Sequence, residues 1–165
     1  MEISPRITDV LELLDPPKGF HPWHGGPSLM GCLRSVDPKA AAWKPAPERN
    51  SIWELVLHMA YWKYSVIRHL NPEYPKGFER SPANFPEVPA HYALKDWKAD
   101  KMLLKEKQKV LVQEIKNFPS EKLDDICPTK KKWTYAQLIV GIAAHDTYHI
   151  GQIQILKKLY KELNS

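Results

Sequence analysis

The stretch Thr134-Tyr-Ala-Gln-Leu-Ile-Val-Gly-Ile-Ala-Ala-His145-Asp-Thr-Tyr-His149-Ile-Gly-Gln-Ile-Gln-Ile-Leu-Lys-Lys-Leu-Tyr160 decides how this chain is read. It opens on a capping box: a threonine followed three residues later by a glutamine, each able to satisfy a free amide at a helix start. No proline occurs after Pro128, so a helix of about residues 135–162 is predicted. On a wheel of about 100° per residue, Leu138, Ile142, Ile153, Leu156 and Tyr160 share one narrow sector. His145 and His149 fall in that same sector. The helix therefore aims two imidazoles at whatever its apolar face packs against.

Proline maps the rest of the chain. Fifteen of the 165 residues are proline, about 9% against a usual share near 5%. Since proline breaks helix interiors, its absence over 48–71, 90–118 and 129–165 marks where long helices run. A second capping box, Ser51-Ile-Trp-Glu54, opens a predicted helix of about 51–70, with Ile52, Leu55, Val56, Met59, Trp62 and Val66 on one face. Over 92–118, Trp97, Leu104, Leu111, Ile115 and Phe118 recur at spacings near seven and four, a stripe interrupted by Lys101 and Gln108. Residues 28–36 make a shorter helix after Pro27, and 4–14 add another turn or two. The connector 71–90 holds five prolines in twenty residues, long for a bundle turn of 2–8, and so reads as a crossover or a functional lid. No alternating strand pattern and no internal repeat is present. The expectation is an all-α bundle of about four helices in a single domain, 1–165, with 1–26 as an N-terminal extension.

Composition narrows the class. A hydrophobic fraction of 43% with 26% charged residues fits a soluble globular domain and excludes a disordered or collagen-like chain. No uncharged run approaches the ~18 residues of a membrane span. Charges at Glu2, Arg6, Asp9, Glu12, Asp15 and Lys18 leave no apolar signal-peptide core, so a cytoplasmic address is expected. The net charge is +5, and residues 95–132 carry eleven lysines against seven acidic residues. That basic stretch alternates in sign, which favours a solvated helix face over a nucleic-acid surface. Cys32 and Cys127 lack metal or redox spacing and read as reduced, structural thiols.

Burying an imidazole without a partner costs about 1–3 kcal/mol. A metal ion supplies one shared partner, because residues four apart on a helix carry Cβ atoms about 5–6 Å apart. Two core histidines bonded to hydroxyls or carbonyls are the competing account. His58, at the edge of the apolar stripe of the 51–70 helix, is a third candidate ligand from a facing helix. His69 lies near a helix end, His91 follows the proline-rich connector, and His21 and His24 sit in a Gly/Pro-rich segment. Aspartate at 146 excludes the H-E-x-x-H metalloprotease motif, whose general base is glutamate. Asp146 is a candidate for orienting a ligand or accepting a proton, with a surface salt bridge as the alternative.

Taken together, Trp43-Lys-Pro-Ala-Pro, Ser51-Ile-Trp-Glu-Leu-Val-Leu-His58, Trp133-Thr-Tyr and His145-Asp-Thr-Tyr-His149-Ile-Gly151-Gln152 resemble the DinB superfamily over about residues 22–160. The resemblance implies a DinB-like four-helix bundle, usually dimeric, with one divalent metal ion (Zn, Ni, Fe or Mn) on His58, His145 and His149. It also implies a metal-dependent enzyme, either a thiol S-transferase or isomerase or a hydrolase. The segment Phe20-His-Pro-Trp-His-Gly-Gly-Pro27 resembles a variant seen in part of the superfamily and makes His24, beside Asp146, a candidate catalytic residue. The expected partners are a small-molecule substrate, with a low-molecular-weight thiol among the options, and a second copy of the chain. Three neutral histidines leave a cation its full charge and an open position. A hydrolase also needs a general base, for which Asp146 and Glu54 are the nearest candidates in sequence; a thiol transferase needs only metal and pocket. The alternatives are a basic nucleic-acid-binding bundle, motivated by Lys130-Lys131-Lys132, and a dimerisation module with a non-catalytic metal site.

Overall fold

Both capping boxes form. In the computed structural model, which describes residues 4–17, 19 and 25–164, the Ser51 side chain accepts from the Glu54 amide while the Glu54 carboxylate accepts from the Ser51 amide. Thr134 and Gln137 make the same reciprocal pair. Among the described residues there are six α-helices and no strand: α1 Pro5–Leu14, α2 Leu29–Cys32, α3 Pro38–Ala42, α4 Ile52–Leu70, α5 Leu94–Asn117 and α6 Tyr135–Leu163. The three proline-free intervals hold the three long helices. A single 3₁₀ turn, Ser120–Lys122, follows α5.

The bundle differs from four helices in its N-terminal part. The helix predicted over 28–36 stops at Cys32 with Leu33 as its C-cap; Ser35, at φ 63°, then turns the chain, and Asp37 caps a new helix with Pro38 in its first turn. Three long helices are thus joined by three short ones.

Helix α4 is the axis. It buries not one stripe but most of its surface, including Trp53, Leu57, Ala60 and Ile67, because α3, α5 and α6 pack around it. One apolar cluster lies where α2, α3, α4 and α5 meet the C-terminal half of α6, with Trp53 and Trp97 in ring contact at 5.1 Å. A second lies between α1, the C-terminal ends of α4 and α5, and the first half of α6. The stripe expected on α5 holds at Trp97, Leu104, Leu111 and Ile115. Its interruptions are accommodated: Gln108 is buried and donates to the Leu14 carbonyl, and the Lys101 ammonium sits over the Trp97 ring. Lys95, Lys98, Lys105, Lys109 and Lys116 face solvent, as a solvated face requires.

On α4 two neighbours exchange the places expected of them. Trp62 is 38% exposed, whereas Lys63 is wholly buried. Lys63 is tolerated there because its ammonium pairs with Asp146 of α6. Both cysteines are buried and free, and burial pushes the Cys32 thiol up to about 12, which keeps it protonated. No described helix is long and apolar enough to cross a membrane.

Candidate metal centre

Helices α4 and α6 run antiparallel, and their register follows from their pairings. His58 meets His149, and Lys63 meets Asp146 one to two turns along α4. This register brings His58, His145 and His149 together. His145 Nε2 lies 3.1 Å from His58 Nε2 and 3.1 Å from His149 Nε2, and the three candidate donor atoms all fall within 4.8 Å of one another. His58 and His149 are buried and His145 is partly buried.

The remote ring nitrogens reveal the protonation. His58 Nδ1 lies 3.1 Å from the Asn84 carbonyl, and His149 Nδ1 lies 2.7 Å from Gln152 Oε1. Both partners are acceptors, so both Nδ1 atoms carry the proton and donate it. Each Nε2 lone pair then points at the shared centre. A proton on His145 Nε2 would serve one of its two contacts and leave the other as lone pair against lone pair. A cation satisfies all three. Nitrogens bound to one ion at 2.0–2.1 Å, with bond angles of 90–110°, stand about 2.9–3.4 Å apart. The observed 3.1 Å separations lie within that range.

Burial sets the electrostatics. It pushes all three imidazoles below the ordinary histidine range, and His145, flanked by the other two rings and by Lys63, falls to about 3. Neutral imidazole is the form that ligates a metal. His145 Nδ1 is buried and has no hydrogen-bond partner among the described residues.

The proline-rich connector contributes directly. Phe85 stacks on His58 at 4.2 Å, and the adjacent Asn84 supplies the carbonyl behind it. The connector is held by Arg80 on Asp100, Glu79 on Lys107, and the Gly77 amide on the Tyr64 hydroxyl. It therefore walls the histidines on the side of His58. Asn84 and Phe85 escaped the sequence reading, since a backbone carbonyl is offered by any residue. Gln152 stood in the motif without an assigned role.

Two carboxylates considered as bases are occupied. Asp146 is 5% exposed and paired with Lys63, so the expected surface salt bridge is an interior one. Burial pushes its carboxyl up and the Lys63 ammonium down, and each partner's charge opposes the push. Glu54 is committed to the Ser51 amide and to Lys44. His24 and His21 lie outside the described residues. His69 lies near the end of α4 and His91 is exposed; neither joins the cluster.

An all-helical bundle with three imidazole nitrogens converging from two antiparallel helices has the form of a histidine-ligated metal protein. The profile of the DinB superfamily matches residues 28–153, more than half of the chain, and the chain belongs to that superfamily. No curated protein and no solved structure was found to match the chain significantly.

Proposed function

We propose that the chain is a metal-dependent enzyme whose single divalent cation is held by His58, His145 and His149. The observation that supports this most is the convergence of three imidazole nitrogens within 4.8 Å of one another, His145 Nε2 lying 3.1 Å from both His58 Nε2 and His149 Nε2, with two of the rings donating their other nitrogen to fixed acceptors. When bound, such a cation supplies Lewis acidity and lowers the pKa of a water or thiol that reaches it. The chain's own residues fix ring orientation through Asn84 and Gln152, and Phe85 limits water on one side.

Between the two reaction classes, a thiol S-transferase is favoured over a hydrolase. Glu54 is engaged by Ser51 and Lys44, and Asp146, whose Oδ1 has no hydrogen-bond partner among the described residues, is buried and held by Lys63 through Oδ2, which leaves neither well placed as a general base for activating water. A thiol held at such a cation would ionise near neutral pH and release its proton to solvent, so it would need no protein base. A small-molecule substrate and a homodimer remain part of this reading. The basic surface offers less support for nucleic acid, because the exposed lysines of α5 alternate with acidic residues around a solvated face.

Metal analysis tests the proposal. Protein loaded with zinc and desalted should retain about one ion per chain, and His58→Ala and His149→Ala should each lose it while keeping their helical circular dichroism. Stoichiometric zinc in both variants would reject the centre.

A further inference from the structure

Beyond His145, the outer faces of α4 and α6 part to form a groove of about 540 Å³, closed at its far end by the 128–133 loop. A volume of 300–1,000 Å³ is typical of small-molecule sites. The groove is continuous with the metal centre, since His145 and its ring neighbour Trp62, 6.1 Å away, form its near wall. From there it follows α6 back to Leu138, seven residues or about 10 Å along the helix axis. Val66, Leu138 and Ile142 make its floor apolar.

The far end is different. Lys130 and Lys131 line it, and the Lys131 ammonium rests 4.6 Å over the Trp133 ring, which also lines the groove. No aspartate or glutamate lines the groove, and among the described residues no ion pair engages either lysine. The cavity thus has one ring of the histidine cluster, His145, at one end, a largely apolar middle with Ser65 and His69 along its α4 side, and an unneutralised positive end.

We infer that this groove binds a small organic anion, with its apolar or aromatic body between Trp62 and Trp133, its carboxylate or sulfonate at Lys130 and Lys131, and its other end at His145. The inference rests on the enzyme reading above and gives that site its substrate class. It also assigns the two lysines to recognition of charge rather than to a general basic surface. Length is selected too: a ligand must span about 10 Å to touch both ends.

Gly141 provides a clean test. It lines the groove midway along, and a Cβ built there meets nothing within 4 Å, so a larger side chain fills the cavity without displacing the helix. Two fluorescent probes of the same shape separate the contributions: 8-anilinonaphthalene-1-sulfonate, an anion, and N-phenyl-1-naphthylamine, which is neutral. The expected result is one bound sulfonate probe per chain in zinc-loaded protein. The pair Lys130→Glu and Lys131→Glu should weaken it at least about tenfold and leave the neutral probe within about threefold. Gly141→Phe should exclude both probes without lowering the thermal midpoint. Equal loss of both probes in the lysine variant, unchanged binding in Gly141→Phe, or no probe binding at all would overturn the inference. So would conversion of a dimer to a monomer by Gly141→Phe on size exclusion, which would make the groove a contact between copies. Zinc retention is measured on the same samples: probe behaviour as expected without zinc rejects the metal centre and keeps the groove, and zinc without that behaviour does the reverse.

Discussion

Gln152 illustrates how much one side-chain atom decides at this centre. Its Oε1 accepts from His149 Nδ1 at 2.7 Å and thereby fixes which nitrogen of that ring is free. Partners of this kind contribute about 10–100-fold to metal affinity. Gln152→Leu should weaken zinc binding by that factor in a competition titration with a chromophoric chelator, while Gln152→Glu, which keeps an acceptor, should retain most of it. Equal affinity in wild type and Gln152→Leu would show that the ring is oriented by packing alone. The three histidines were legible in the sequence because apolar periodicity marked their faces as inward. Lys63 was not: a lysine next to a tryptophan on a helix reads as solvent-facing, and only its pairing with Asp146 across α4 and α6 reverses that.

That pair acts at the level of the helices. Lys63 and Asp146 lie in the same α4–α6 interface as the three histidines, and both are out of solvent. Removing one partner of a buried pair leaves an uncompensated charge and destabilises by about 3–5 kcal/mol. Lys63→Met should therefore lower the urea midpoint sharply, and Lys63→Met with Asp146→Leu should recover most of the loss. A double variant no better than the single would mean that the charge pair is not what matters there. The long helices themselves were readable from proline gaps and capping boxes, which are local. The break between α2 and α3 was not, since it depends on Ser35 taking a left-handed backbone conformation that few sequence patterns announce. The apolar stripe of α4 was readable only in part, because a helix enclosed on several sides buries positions that an amphipathic pattern assigns to solvent.

For the molecule as a whole, the three histidines bridge two helices that are also joined by packing and by the Lys63–Asp146 pair, so an ion held there would stabilise the fold. At a free concentration about 100-fold above Kd the gain is about 2.7 kcal/mol, or roughly 5–10 °C in Tm for a chain of this size. Chelation should remove that increment, and His149→Ala should abolish it; an identical Tm with and without zinc would contradict a centre that bridges α4 and α6. Acid acts on the metal-free fold through the same residues. Burial holds the three imidazoles below their unfolded value of about 6.5, His145 at about 3. The unfolded chain therefore takes up protons first. The stability carried by these groups is complete above about pH 6.5 and is lost as pH falls from there toward 3. Urea midpoints of metal-free protein should decline across that window, less steeply in His145→Gln.

The ligands of the centre are separated by 87 residues of chain, from His58 to His145. A ribosome adding about 5–20 residues per second needs roughly 4–17 s to cross that distance. A three-histidine site therefore assembles only once the last long helix has been made, and an ion held by all three would be taken up after that point.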